Sequence, residues 1–186
     1  MMYINFAILG ILSSQSLTGY DLKKIIQESP FMYWSGNNNQ IYKALGELLE
    51  ADFVTNEEQH PGGSPAKKIY TITEAGKAEL KRSLQFAPEP PEFKKTFLIQ
   101  LAWSDQLNTN EFNAQLFGYE REIKQQILLQ QEKRMRETNC PNRSPREIYI
   151  WEMIHENIIS FYNNELMWVK KLRQGLCFCN EKVRAE

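Results

Sequence analysis

The sequence predicts a mainly α-helical chain with one small β-hairpin, divided into two domains. Three observations carry this reading. Apolar residues recur at helical spacing through most of the chain, as at Ile41, Leu45, Leu48 and Leu49. A single pair of β-prone segments, "FVTNEEQ" and "AKKIYTIT", flanks the Gly/Pro loop "HPGGSPA". Finally, Pro88, Pro90 and Pro91 interrupt the chain within "FAPEPPEF". Prolines donate no backbone hydrogen bond and push their neighbours into extended conformations. The expected divisions are therefore a first domain at 1–86, a Pro-rich hinge at 87–91, a helical domain at 92–176 and a flexible tail at 177–186.

The first domain reads helix, helix, helix, strand, strand, helix. Ile4 to Leu12 is an apolar segment long enough for a core helix. In "TGYDLKKIIQES", Thr18 is placed to accept the Asp21 N–H while Asp21 reaches back, a capping box. Leu22, Ile25 and Ile26 form the buried face of that second helix. The third helix opens at "NNNQIYKALGELL", with Asn37 as expected N-cap and Gln40 completing a second capping box. Thr73 caps a last helix, "TEAGKAELKRSL".

Three helices followed by a hairpin make a winged helix-turn-helix. In that arrangement the third helix enters the DNA major groove and its first turn meets base edges. Side-chain amides pair in bidentate fashion with adenine, which gives Asn38, Asn39 and Gln40 a reason to cluster there. The competing reading makes Asn37 and Gln40 caps, with Asn38 and Asn39 solvated. Tyr42 and Lys43, on the exposed side, are candidates for phosphate contact.

These residues carry a resemblance. "AILGILSSQSLTGYDLKKII", "QIYKALGELLEADFV" and "AKKIYTITEAGKAEL" together resemble the PadR family of winged-helix transcription regulators. The specific marks are Leu9-Gly10, Gly19-Tyr20, Ile41-Tyr42 followed by Leu45 and Leu48, the wing ending in Tyr70, and Ile72-Thr73-Glu74-Ala75-Gly76. The resemblance spans residues 4–82. Beyond Pro91 it is looser, resting on long-tailed members in which a helical C-terminal region dimerises; "EFKKTFLIQLAW" is similar to the helix that opens that region. It implies a cytoplasmic repressor that binds a pseudo-palindromic operator as a homodimer and responds to an effector. Two departures stand out. The family usually has glycine at Asp52, although Asp tolerates the left-handed conformation of a C-cap. Its wing usually reads Arg-Lys-Tyr-Tyr where this chain has Lys67-Lys68-Ile69-Tyr70, and lysine neutralises phosphate without the planar fork of arginine. Lys67 and Lys68 are therefore expected on phosphate.

Charge bears on this. Through Leu84 the chain has 8 Lys and Arg against 9 Asp and Glu. The acids Glu47, Glu50, Asp52, Glu57, Glu58, Glu74 and Glu79 are expected away from the tip of the third helix. So few cations make one subunit a weak DNA binder, and a dimer doubles the contacts.

The second domain offers the means. "NTNEFNAQLFGYEREIKQQILLQQEKRMRET" reads as a long helix with Phe112, Leu116, Tyr119, Ile123 and Ile127 on one side. Ser144-Pro145-Arg146-Glu147 combines N-cap, proline at the first helical position and glutamate three residues on. The helix it opens is expected to end near Arg173, and its apolar stripe is wider than one antiparallel neighbour covers. The surplus points to a twofold partner chain, or else to packing against its own first domain. Trp34, Trp103, Trp151 and Tyr162 are candidates to line a pocket for a small aromatic effector, which the resemblance to phenolic-acid-responsive members implies; the plainer reading makes them core.

Other chemistry finds little support. His60 and His155 lie in the wing loop and in the apolar stripe, with no nucleophile beside either, so no catalytic site is expected. Cys177-x-Cys179 with distant Cys140 falls short of four zinc ligands, and no cofactor is expected. Three cysteines with no extracellular cue suit a reducing compartment. The apolar N-terminal run is too short to span a bilayer. The rival to a DNA-binding regulator is a winged-helix module used for protein–protein contact.

Overall fold

The structure, a computed structural model, describes residues 3–32, 39–59, 67–91, 95–137 and 143–183. The chain forms two compact units, one from Met1 to Pro91 and one from Glu92 onward.

The first unit holds α1 (Tyr3–Leu12), β1 (Leu17–Thr18), α2 (Gly19–Glu28), α3 (Asn39–Glu50), β2 (Val54–Gln59), β3 (Lys67–Ile72) and α4 (Glu74–Ser83). Its core joins Ile8, Leu9 and Leu12 of α1 to Leu22 and Ile26 of α2 and to Ile41, Leu45 and Leu48 of α3. Val54, Tyr70 and Ile72 close it from the sheet. Ile25, expected on the buried face of α2, is only half-buried.

The expected hairpin is present, with Val54 opposite Ile72 and Gln59 opposite Lys67. A third strand joins it. β1 pairs antiparallel with β3, Leu17 opposite Tyr70, giving the order β1-β3-β2. Two residues before a helix carry no alternating pattern, so β1 had no periodic signal to betray it. Thr18 caps α2 by accepting the Asp21 N–H at 3.1 Å. Asp21 reaches back to the Thr18 hydroxyl, at 2.6 Å, instead of the backbone amide. Asn37, expected to cap α3, lies outside the described residues.

The end of α3 organises the rest of the unit. Asp52 has φ 55°, in the left-handed region. The Phe53 N–H returns to the Leu48 carbonyl at 2.9 Å and the Asp52 N–H to Leu49 at 3.0 Å, which is a Schellman cap. The Phe53 carbonyl then accepts from the Thr73 N–H at 3.0 Å. Thr73 caps α4 by accepting the Gly76 N–H at 3.0 Å and donates its hydroxyl to the Asp52 carbonyl at 2.7 Å. Gly76 is required by this approach, because a Cβ there would lie 2.1 Å from the Phe53 carbonyl oxygen. Residues 87–91, the expected hinge, form no regular element.

The second unit holds α5 (Thr96–Ala102), a 3-10 turn (Ser104–Gln106), α6 (Thr109–Glu137) and α7 (Pro145–Val183). α7 thus runs past its expected end near Arg173, so the stretch expected as a tail is helical as far as Val183. No proline follows Pro145, and the helix continues through Gly175, the residue that could have ended it. Ser144 caps it by accepting the Glu147 N–H at 3.2 Å. Asn108 and Glu111 form a full capping box on α6 that sequence reading overlooked. Phe97, Leu116, Ile123 and Val169 are the buried centre, with Phe112, Tyr119 and Ile127 packed against them.

Gly76→Ala tests the junction. Forcing a methyl against a backbone carbonyl is expected to cost about 1–3 kcal/mol, read as a fall of several degrees in melting temperature. An unchanged melting curve would show that α4 docks more loosely than the Phe53 contact implies.

Candidate nucleic-acid interface

α3 buries one face and leaves its first turn open. Ile41, Ala44, Leu45 and Leu48 point into the core, whereas Asn39, Gln40, Tyr42 and Lys43 are exposed. The 3.6-residue period puts these four on the outward side at the N-terminal end. Asn38 and Trp34 lie outside the described residues. Tyr42 is only half free, because its ring crosses the first turn of α2. A Cβ on Gly19 would meet the Tyr42 Cε1 at 2.8 Å. The glycine thereby sets how closely α2 and the exposed turn of α3 approach. Sequence reading noted both Gly19-Tyr20 and Tyr42 but had no means of joining them.

Lys67 and Lys68 are exposed at the start of β3, opposite Gln59 and Glu58. The acids, however, are not all remote from these cations. Lys68 Nζ lies 3.6 Å from Glu58 Oε1 across the hairpin. Lys43 Nζ lies 3.9 Å from Glu47 Oε1, one helical turn on. Glu47 and Glu58, expected away from the tip of α3, thus lie beside two of the candidate phosphate-binding lysines. Helical i,i+4 spacing and cross-strand register put acid beside base in both places. Glu47 is also tied inward, its Oε2 accepting from the buried Asn5 Nδ2 at 3.0 Å.

The geometry is that of a winged helix-turn-helix, and comparison with known proteins places it. The transcriptional regulator PadR-like family matches residues 8–82. Residues 8–82 carry a PadR-like domain. The negative transcriptional regulator PadR of Bacillus subtilis is 33% identical over 112 residues, 60% of this chain and 62% of that relative. The chain thus spans less than two thirds of the length of this curated relative. Among solved structures, smu.1604c from Streptococcus mutans UA159 is 25% identical with a TM-score of 0.78, covering 91% of this chain and 98% of that one. Bacillus subtilis PadR in complex with operator DNA is 24% identical with a TM-score of 0.74, covering 92% and 97%. The same protein has been solved in complex with p-coumaric acid, at 24% identity and a TM-score of 0.68, covering 92% and 96%. The family consists of transcriptional regulators, not enzymes. Among the described residues no His/Cys/Asp/Glu group could hold a metal ion, and no helix is long and apolar enough to cross a membrane.

The aromatics of the helical unit divide into separate groups. Trp103 is exposed just past the end of α5. Trp151 lies under the Arg143 guanidinium, 4.7 Å from the ring centre, and beside His155. Tyr162 is eleven residues further along α7, roughly 16 Å by helical rise. It packs into the core cluster with Tyr119, Leu166 and Trp168. Trp151 and Tyr162 thus stand about three turns apart on α7. Beside Tyr162 lies a polar group that no sequence pattern foretells. Glu165 accepts from Lys95 Nζ and, at 2.8 Å, from the Tyr119 hydroxyl, and the Tyr119 ring stacks on Phe97 at 3.7 Å. Lys95, Tyr119 and Glu165 come from three different helices or their caps, so no local pattern joins them.

Burial, then the hydrogen bond to Glu165, raises the Tyr119 phenol well above its ordinary range. Burial also raises Tyr162. An unfolded tyrosine ionises near pH 10, so the stability due to this shift is complete below that pH and is lost as pH climbs above it. Tyr119→Phe should make the loss of helix above about pH 10 shallower, as followed by circular dichroism. A decline identical to the parent's would show that the phenol has no part in it.

Proposed function

We propose that this chain is a DNA-binding transcriptional repressor acting as a homodimer on a pseudo-palindromic operator. The observation that carries this is the exposed first turn of α3, with Asn39, Gln40, Tyr42 and Lys43 projecting from a helix whose other face is core. A helix so held can enter the major groove with amides toward base edges and Lys43 toward phosphate. Asn38 joins them by its place in the sequence. Lys67 and Lys68 on the wing take phosphate. The PadR-operator complex and the negative regulator of Bacillus subtilis support this assignment.

On this reading residues 1–86 form the DNA-binding domain, 87–91 the hinge and 92–176 the dimerisation domain of a cytoplasmic protein. Exposed Ile99, Trp103, Phe117, Leu128, Ile150 and Met167 on the helical unit supply apolar surface for a twofold partner. The p-coumarate complex of Bacillus subtilis PadR supports a small aromatic effector, with Trp34, Trp103, Trp151 and Tyr162 as candidate contacts. Sedimentation at micromolar concentration is expected to give a dimer; a stable monomer would remove the second domain's assigned role.

Binding of variants to the DNA upstream of the chain's own gene, and to a duplex of mixed sequence, tests the interface. Alanine at Asn39 or Gln40 should cost roughly 1–3 kcal/mol on the cognate site, the worth of a bidentate amide–adenine pair, and little on mixed sequence. Normal discrimination by both variants would place recognition elsewhere.

The wing has a different signature. Replacing Lys67 and Lys68 by alanine should weaken both duplexes alike and flatten the salt dependence by about one unit of slope per lost phosphate contact. An effect confined to the cognate site would mean that the wing reads bases. One observation favours a second reading, a winged-helix module for protein contact: the first 84 residues carry 8 cations against 9 acids. Failure of the parent protein to bind either duplex in low salt would favour it.

A further inference from the structure

Two of the lysines assigned to phosphate are already engaged. Lys43 faces Glu47 at 3.9 Å and Lys68 faces Glu58 at 3.6 Å. These are open ion pairs, with the lysine side chains 72% and 55% exposed, so a phosphate oxygen can reach either ammonium. Glu47 differs from an ordinary surface acid. Its second oxygen is held by Asn5, a buried amide on α1. The bond from Asn5 thus holds the carboxylate on the helix face beside Lys43.

We infer that Glu47 and Glu58 compete with DNA phosphate for Lys43 and Lys68. This rests on the DNA-binding reading and extends it. Neutralising a phosphate releases a counterion from the duplex, which drives binding and makes it salt-dependent. Here the lysine must first leave a carboxylate, and that carboxylate then attracts a cation of its own. Part of the released counterion is taken up again. Each such exchange lowers affinity for DNA of any sequence and reduces its dependence on salt. A single subunit gains little from backbone contacts alone, and stable binding then needs the base contacts of both subunits.

The test is Glu47→Gln and Glu58→Gln in the full-length protein, titrated by fluorescence anisotropy across a salt series. The probes are the DNA upstream of its own gene and a mixed-sequence duplex. Glutamine keeps an oxygen for the Asn5 amide, and Glu58 lies on an exposed strand away from the core, so Glu58→Gln guards against a folding defect. Each variant is expected to bind both duplexes several-fold more tightly and to steepen the salt slope by up to about one per subunit. In Lys43→Ala and Lys68→Ala backgrounds the respective gains should vanish. Gains that persist there reflect general repulsion of DNA by the acid, and overturn the inference. So do unchanged affinity and slope in a parent that binds DNA, which leave the DNA-binding reading standing. A parent that binds neither duplex overturns both.

Discussion

The joint at Asp52 and Phe53 is the constraint on which the first unit depends. Four backbone groups meet there: the Asp52 N–H and Phe53 N–H turn back to end α3, and the Asp52 and Phe53 carbonyls turn forward to receive Thr73. Because β2 starts at the next residue, the direction in which the wing leaves α3 is set by this cap. Gly76 lets α4 settle on the same carbonyl. Helix, wing and closing helix are therefore referred to one point, and the candidate DNA surface inherits its rigidity from hydrogen bonds far from its exposed turn. Asp at the left-handed position carries a strain that glycine would not. The Thr73 hydroxyl on its carbonyl helps to hold it there.

The electrostatics of the surface follow from a shortage of positive charge. With cations outnumbered in the first 84 residues, affinity cannot rest on a broad basic patch. Exposed ion pairs of the Lys43–Glu47 kind contribute little to folding stability. Their consequence lies in what the lysines can offer an incoming anion, which is why Asn5, buried on α1, bears on that surface at all.

In the helical unit, buried polar groups fix register between long helices whose apolar faces alone would slide. Glu120 on α6 accepts from Lys124 and from Arg173 on α7, both at 2.8 Å. The Lys124 hydrogen bond, with the nearby Arg173 charge assisting, holds its carboxyl below the usual range against the opposing effect of burial. Arg134 on α6 donates from Nε and Nη2 to the two carboxylate oxygens of Glu152 on α7, a half-exposed pair that contributes less. Breaking the pairs at Glu120 leaves a buried carboxylate without its partner, which favours one alignment. Lys95, Glu165 and Tyr119 do the same for the start of α5.

The sequence by itself determined the elements whose signals are local. Helical periodicity placed α1 to α4, α6 and the start of α7. Capping chemistry marked Thr18, Thr73 and Ser144, and the Gly/Pro loop marked the hairpin. The resemblance, with glycine usual at that place, pointed to Asp52 as a left-handed cap, a conformation aspartate tolerates. Tertiary structure alone decided what depends on distant partners. Leu17 and Thr18 became a strand only because β3 offered an edge, and Gly19 mattered only because Tyr42 lies across it. The bond from Asn5 to Glu47 could not be read from the sequence for the same reason. A residue's type and period fix the face it occupies and, at i,i+4 spacing, its neighbour Lys43, but Asn5 reaches Glu47 only through packing of α1 against α3, across 42 residues of sequence.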